Sequence, residues 1–361
     1  MAPKVTVYIT PPEALVELLI RSHFLYSLPL ARRLRFAARF AGGITEHTRI
    51  LWSSRLSLED HLAAGRRNVE GEVEAGKEEG VEKNTNRKLE AIEAPFAAAY
   101  LDFSRGGAEG ETGLRTEDEK EREDGANDAD REREEDACAV ALLREVKRQQ
   151  DLYFVPGSAQ AREREFPAIL IGNLNEVLRE RLAAPEVGMA IVSTGLYDKF
   201  VFKVDELPDV ALPETLGDGR RWAWDTVRQE DIPFVLSRSN IHRRERTVKL
   251  LPRAAIYLDD GTPIAWAFLE DWGLIVDYLG PDSSLSGLHC EEPYRGRGIA
   301  KAVAVKVLRD HLRDYSDEPY GWADVATDNI QSQSVCRSLH GRVRWQISWS
   351  HLNLDQSFPH E

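Results

Sequence analysis

The chain has 361 residues, 42% apolar and 30% charged, with a formal net charge of −14; that is enough for a sizeable core and for two domains, or one domain with a large insertion. The acidic balance disfavours nucleic acid as a partner, because phosphate contacts need a basic face, and no apolar stretch approaches the roughly 18 residues that cross a bilayer. Three scattered cysteines, Cys138, Cys290 and Cys336, show neither CxxC nor histidine spacing, which argues against a disulfide framework or a metal site and for a reducing compartment, the cytoplasm with the nucleus left open.

In chain order, MAPKVTVYITPPE reads as strand then turn. The basic segment Ser22–Phe40, broken by Pro29, reads as a docked helix in preference to a membrane-surface or targeting one. RILWSS (Arg49–Ser54) is a predicted strand. Composition then changes. Gly65–Glu90 is polar, and Glu109–Asp136 holds fourteen acidic and five basic residues with almost no apolar anchor. Such a stretch cannot offset its ordering entropy, so residues 65–136 read as a disordered acidic insertion, with Ala94–Phe103 as a short docked piece inside it.

Past the insertion, Ala137–Gln150 and Asn175–Ala184 have helical periodicity, while Phe166–Gly172 and Lys199–Val204 read as strands. The reading is an N-terminal α/β half in two parts, 1–64 and 137–215, ending in a Pro- and Gly-bearing link, Asp205–Arg220. From 220 to 361 the order is distinctive. A strand (Arg221–Val227) leads to a helix with Asp231 at its start and Pro233 in its first turn, then a second helix (His242–Leu251). A hairpin (Arg253–Leu269), a strand (Ser284–Glu292), a glycine-bearing turn and a long amphipathic helix follow.

That turn is Arg295-Gly296-Arg297-Gly298, and the helix behind it has Ala300, Val303, Ala304, Val307, Leu308 and Leu312 at helical spacing. The first amides of a helix have no internal partner and carry the positive end of its dipole. Glycines admit close approach to the backbone, and arginines add charge, so the expected ligand is a pyrophosphate. A dinucleotide fold is disfavoured. Its G-x-G-x-x-G belongs early in a βαβ unit, whereas here the sixth position is Lys301 and one strand-like segment follows.

RGRGIA (295–300) resembles the acyl-CoA signature of the GNAT superfamily of N-acyltransferases, carried by Arg295, Gly298 and Ala300. The element order from Arg221 resembles that fold, and DNIQSQSVCRSLHG (328–341) resembles its second motif, in which an asparagine opens a helix. The whole is similar to the fungal glycine N-acyltransferase-like branch. The resemblance implies a mixed α/β (α+β) fold with a mostly antiparallel central sheet flanked by helices. It further implies acyl-CoA, acetyl-CoA first, as cosubstrate, a small amine or amino acid as acceptor, direct attack in a ternary complex, and no metal. Cofactor contacts would come from Leu288, His289, Cys290, Arg295, Gly296, Arg297, Gly298, Ile299, Ala300, Asn329 and Ser332. The pantetheine arm would lie where strands Leu285–Cys290 and Trp322–Thr327 splay. The acceptor groove would be lined by Arg238, Ser239, Asn240, Ile241 and His242.

For catalysis, His289 and Asp324 are the candidate bases, with Glu291 and Glu270 behind them. The family's tyrosine acid, seven residues past the asparagine, is replaced by Cys336, a thiol of ordinary pKa about 8.5 that is the candidate acid. LHG (339–341) and Glu292-Pro293 also depart from the family pattern, and Glu270–Leu279 is an addition that reads as a lid, an extra strand or a gene-model error. The alternative to an enzyme is a catalytically silent CoA binder, or an interaction protein working through its acidic insertion. Oligomeric state is not legible.

Overall fold

The computed structural model describes residues 2–39, 43–63, 94–104, 111–115, 128–164, 167–216, 218–239, 245–249, 251–270, 284–314 and 317–359. The chain forms two compact units. The first holds Met1–Ser104, Ala108–Thr194 and Trp349–Glu361, and the second is essentially Gly195–Ser348. Their boundary falls inside one long strand at Thr194/Gly195, upstream of the 205–220 link on which composition places it.

In the first unit, β1 (Lys4–Tyr8) leads to α1 (Glu13–Ser22) and α2 (Leu28–Arg39), then to β2 (Arg49–Ser54), β3 (Phe96–Asp102) and β4 (Glu111–Arg115). α3 (Asp128–Tyr153) and the short α4 (Ala159–Glu163) precede β5 (Ile169–Asn175), followed by α5 (Glu176–Ala183) and β6 (Ile191–Lys203). β1 to β4 pair antiparallel in sequence order, and β5 joins β4 in parallel.

Two of these elements lie within the range 65–136 and a third begins there. β3 is buried along its whole length, with Ala97, Ala99 and Leu101 packed on one face and Phe96, Ala98 and Tyr100 on the other. Alternation across a strand is what lets one apolar run seal two cores. β4 and the first turns of α3 also fall in the acidic stretch. α3 begins in the acidic residues because its buried face starts only at Glu135, Cys138 and Ala139, and Arg181 holds Glu135 and Asp136 at 3.0 and 2.7 Å. The remainder, 64–93, 105–110 and 116–127, is outside the described residues.

His61 sits in this unit beside the ring of Trp52 and 2.8 Å from Ser54 Oγ, whose own hydrogen goes to Pro95 O. His61 therefore donates from Nε2. Burial pushes its pKa down to about 4. The folded state then binds fewer protons than the unfolded chain between pH 6.5 and 4, so stability rises with pH through that window and is lost as pH falls through it. The loss is on the order of 3 kcal/mol. Urea titrations at pH 7 and 4.5 should show His61→Gln less stable than the parent at the higher pH and level with it at the lower. An unchanged gap would mean that His61 does not couple folding to protons.

The second unit repeats the order. β7 (Trp222–Asp225) leads to α6 (Ile232–Ser237) and α7 (Glu245–Val248), then to antiparallel β8 (Arg253–Leu258), β9 (Pro263–Glu270) and β10 (Ser284–Cys290). α8 (Ile299–His311), β11 (Tyr320–Ala326) parallel to β10, α9 (Ile330–Ser338) and β12 (Arg342–Leu352) follow, and α10 (Leu354–Ser357) returns to the first unit. Strand, two helices, three antiparallel strands, helix, parallel strand and helix thus occur twice in one chain. Gly195–Lys203 of β6 completes the second unit by pairing antiparallel with β11.

Two cores flank the strands of the second unit. α8 places Ile299, Val303, Ala304, Val307 and Leu308 on Ala254, Ile256, Ala265, Ala267 and Phe200. Each of the isoleucine, valine, leucine and phenylalanine side chains among them contributes roughly 1.5–3 kcal/mol when fully buried. On the opposite face α6 and α7 pack Ile232, Val235 and Val248 against Tyr257, Trp266 and Phe268. Pro233 lies in the first turn of α6 as its fixed φ favours, while Asp231 accepts from the Tyr257 hydroxyl at 2.8 Å instead of capping the helix. Glu270 ends β9, and 271–283 lies outside the described residues.

Candidate functional site: a splayed strand pair and its helix-mouth turn

Among the described residues β10 and β11 pair in parallel at Ser284 with Trp322, and then part. β10 also carries a bulge against β9 between Ser286 and His289, where Gly287 has φ 56°. A bulge leaves one residue out of the ladder, and with β11 gone from the other side, amides around Gly287–Leu288 face an opening. A cleft of about 360 Å³ fills it. Leu285–His289 line one wall, Ala323–Ala326 the other, and Asn329, Ser332 and Cys336 of α9 one end. Val235, Arg238, Ser239, Trp266 and Tyr197 complete the lining.

The turn before α8 lies apart from this lining and is exposed. Gly296 and Gly298 have φ of 73° and 77°, left-handed values that disfavour any side chain, and Gly298 is the N-cap. The first i→i−4 bond of the helix runs from Ala302 N to Gly298 O, so the amides of Ile299, Ala300 and Lys301 precede it. A Cβ built on either glycine meets nothing within 4 Å. The space beside the backbone is open to a ligand. Ile299 is buried in the core and Ala300 half-buried, which anchors the mouth of the helix. Arg295 donates from Nε to Cys290 O at 2.9 Å, tying the turn to the end of β10, while Arg297 is exposed.

His289 lines the cleft with its ring stacked on Trp266, centroids 4.6 Å apart and planes 17° from parallel. Its Nε2 is buried 3.4 Å from Glu291 Oε1, too long for a well-formed hydrogen bond. Burial lowers its pKa, with Glu291 pulling the other way and Arg295 and Arg238 adding to the fall, so the imidazole is neutral at pH 7. Asp324 is held at 2.6 Å by Lys199, its register partner on β6, both almost wholly buried and meeting at an angle unsuited to a hydrogen bond. Cys336 is buried, and burial pushes its thiol up to about 12; the Cys290 thiol rises to about 11 for the same reason.

Asn329 caps α9, its side chain accepting from Ser332 N at 3.0 Å. Arg238 and Ser239 reach the cleft at the end of α6, but the Arg238 guanidinium is engaged, Nε to Glu291 Oε1 at 2.9 Å. Asn240, Ile241 and His242 lie outside the described residues. Among the described residues no group of histidine, cysteine and carboxylate side chains has the arrangement to hold a metal ion, and no described helix is long and apolar enough to cross a membrane.

Sequence reasoning missed Lys199, Tyr197 and Trp266. Lys199 had a signal: it opens the apolar run KFVFKV and so puts a charge inside a strand. Tyr197, two residues earlier on the same face of β6, has its phenol pKa raised by burial and by Asp324 and Asp328.

A Drosophila protein from a structural-genomics programme matches over 96% of this chain and 98% of its own, at 13% identity and a TM-score of 0.58, so the two share a fold over nearly their whole lengths. A tandem GNAT protein from the clavulanic acid biosynthesis pathway matches over 97% of both chains at 9% identity and a TM-score of 0.47. A GCN5-related N-acetyltransferase from Sphaerobacter thermophilus matches over 85% of this chain and 96% of its own at 13% identity and 0.42. No curated protein matches. The family described as acyl-CoA N-acyltransferase verG N-terminal domain covers residues 3–200, more than half of the sequence, and the chain belongs to that acyl-CoA N-acyltransferase family.

Proposed function

We propose that the chain transfers the acyl group of an acyl-CoA, acetyl-CoA first, to the amine of a small molecule or amino acid by direct attack in a ternary complex. The observation that carries this is the parting of β10 from β11 after Ser284 and Trp322, beside a helix mouth with glycines at positive φ. The pyrophosphate sits at Arg295–Gly298 and the first amides of α8, and the pantetheine arm enters the splay past Leu288–Cys290 toward Asn329 and Ser332. The acceptor takes the side of the cleft marked by Arg238 and Ser239.

The amine nitrogen attacks the thioester carbonyl carbon, a C–N bond forms and the C–S bond breaks. An amide at the β10 bulge stabilises the oxyanion. The proton shed by the nitrogen passes to His289, already neutral at pH 7, and on to the departing thiolate, which balances the reaction. The acceptor attacks as the neutral amine, so this one transfer accounts for every proton, and Asp324 stays paired with Lys199 at the cleft wall. Cys336, with its thiol near 12, holds its proton too tightly to supply it readily. That same feature motivates the second reading, a CoA binder without turnover. Three buried free cysteines fit the cytoplasm.

A thiol-release screen of small primary amines and amino acids with acetyl-CoA and longer acyl-CoAs tests this. Acceptor-dependent thiol release is expected. Calorimetric binding of acetyl-CoA with no release for any acceptor would replace the enzyme by the silent binder.

A further inference from the structure

One carboxylate oxygen, Glu291 Oε1, faces two donors at once. Arg238 Nε approaches it at 2.9 Å and His289 Nε2 at 3.4 Å. The histidine ring is held flat on Trp266, its register partner on β9, which leaves it little freedom to rotate. Of the two ring nitrogens Nε2 is the one sealed from solvent. That leaves Nδ1 as the nitrogen open to the cleft. Arg238 is itself stacked over Phe234, with its guanidinium carbon 4.9 Å from the ring centroid.

We propose that Glu291, anchored by Arg238, is the positioning residue that keeps the His289 proton on Nε2 and so turns the Nδ1 lone pair toward the acceptor amine. This rests on the acyltransferase reading and deepens it. A neutral imidazole has one donor and one acceptor nitrogen, and the partner of the first selects the second. A carboxylate can only accept when ionised, so a carboxylate at Nε2 puts the hydrogen there. The separation in the free protein suits a contact that tightens once substrates exclude water. Arg238 is therefore accounted for twice, as a wall of the cleft and as the clamp that fixes the carboxylate. The charged and titratable groups around the ring are Glu291, Arg295 and Arg238, with Asp324, Tyr197 and Cys336 sharing its cleft.

The test is long-range proton–nitrogen NMR on the 15N-labelled full chain, whose nine histidines are resolved by assigning His289 with a His289→Asn variant. In the parent, His289 should show a protonated Nε2, a bare Nδ1 and a midpoint below 6.5. Glu291→Gln keeps an acceptor but removes the anion, so the tautomer should persist and the midpoint fall by about one pH unit. Glu291→Leu removes the acceptor and should give a mixture of tautomers. Arg238→Met removes a cation and should raise the midpoint. A parent ring carrying its proton on Nδ1, or a midpoint indifferent to Glu291→Gln, would overturn the assignment. Acetyl-CoA binding by calorimetry on the same samples reports separately on the acyltransferase reading. Lost binding with the tautomer intact would remove that reading and leave the positioning contact standing.

Discussion

Gly298→Asp should abolish acetyl-CoA binding while the protein stays folded. The position has φ 77° and open space around a built Cβ, so the new side chain meets no clash, and Asp and Asn are the side chains best suited to left-handed backbone. The strain costs roughly 1–2 kcal/mol, but the carboxylate stands where phosphate oxygens would approach the α8 amides. Gly298→Asn carries the same strain and bulk without the charge. Calorimetry should therefore rank parent above Asn above Asp, with a loss of more than a hundredfold for Asp. Equal losses for the two variants would make the effect steric. Native affinity in a folded Asp variant would remove the pyrophosphate site and the acyltransferase reading with it.

The same titration should give one acyl-CoA per chain although the strand and helix order occurs twice. In the second unit β10 and α8 are joined through Arg295–Gly298. The corresponding link in the first unit, between β4 and α3, reads TEDEKEREDGAN (116–127), six acidic residues against two basic. Such a run repels a pyrophosphate. A stoichiometry of two would require a second helix mouth to accept phosphate despite that charge.

Lys199→Met should be among the most damaging single substitutions in the second unit. It leaves Asp324, almost fully buried at the cleft wall, without its countercharge. Breaking a buried pair from one side costs about 3–5 kcal/mol, whereas replacing both partners by apolar groups of similar volume is often close to neutral. Urea unfolding should show that loss for Lys199→Met and recovery of most of it in Lys199→Met/Asp324→Leu. A double variant as unstable as the single one would mean that Lys199 supports the fold by packing over Trp322, whose ring it approaches at 5.7 Å, instead of by charge.

Where local chemistry decides an outcome, the amino-acid order was enough. Arg295–Gly298 before a helical apolar stripe specifies a helix mouth, and Asp259-Asp260-Gly261 between apolar runs specifies a hairpin. Each depends on neighbours within a few positions, so spacing alone carries it. Composition misled where structured runs are themselves charged: β4 and the first turns of α3 lie in the acidic stretch, while the docked piece expected at 94–103 is the strand on which both cores of the first unit close.

Tertiary structure decided everything that depends on partners far apart in the chain. Lys199 meets Asp324 across 125 residues because β6 and β11 pair in one register, and Arg238 meets Glu291 across 53 because the end of α6 reaches the end of β10. Those contacts determine which charges are neutralised and which nitrogen of His289 is open. Sequence could nominate these titratable residues; only the pairing of strands could assign their partners, because burial and countercharge are properties of the packed neighbourhood and not of the side chain.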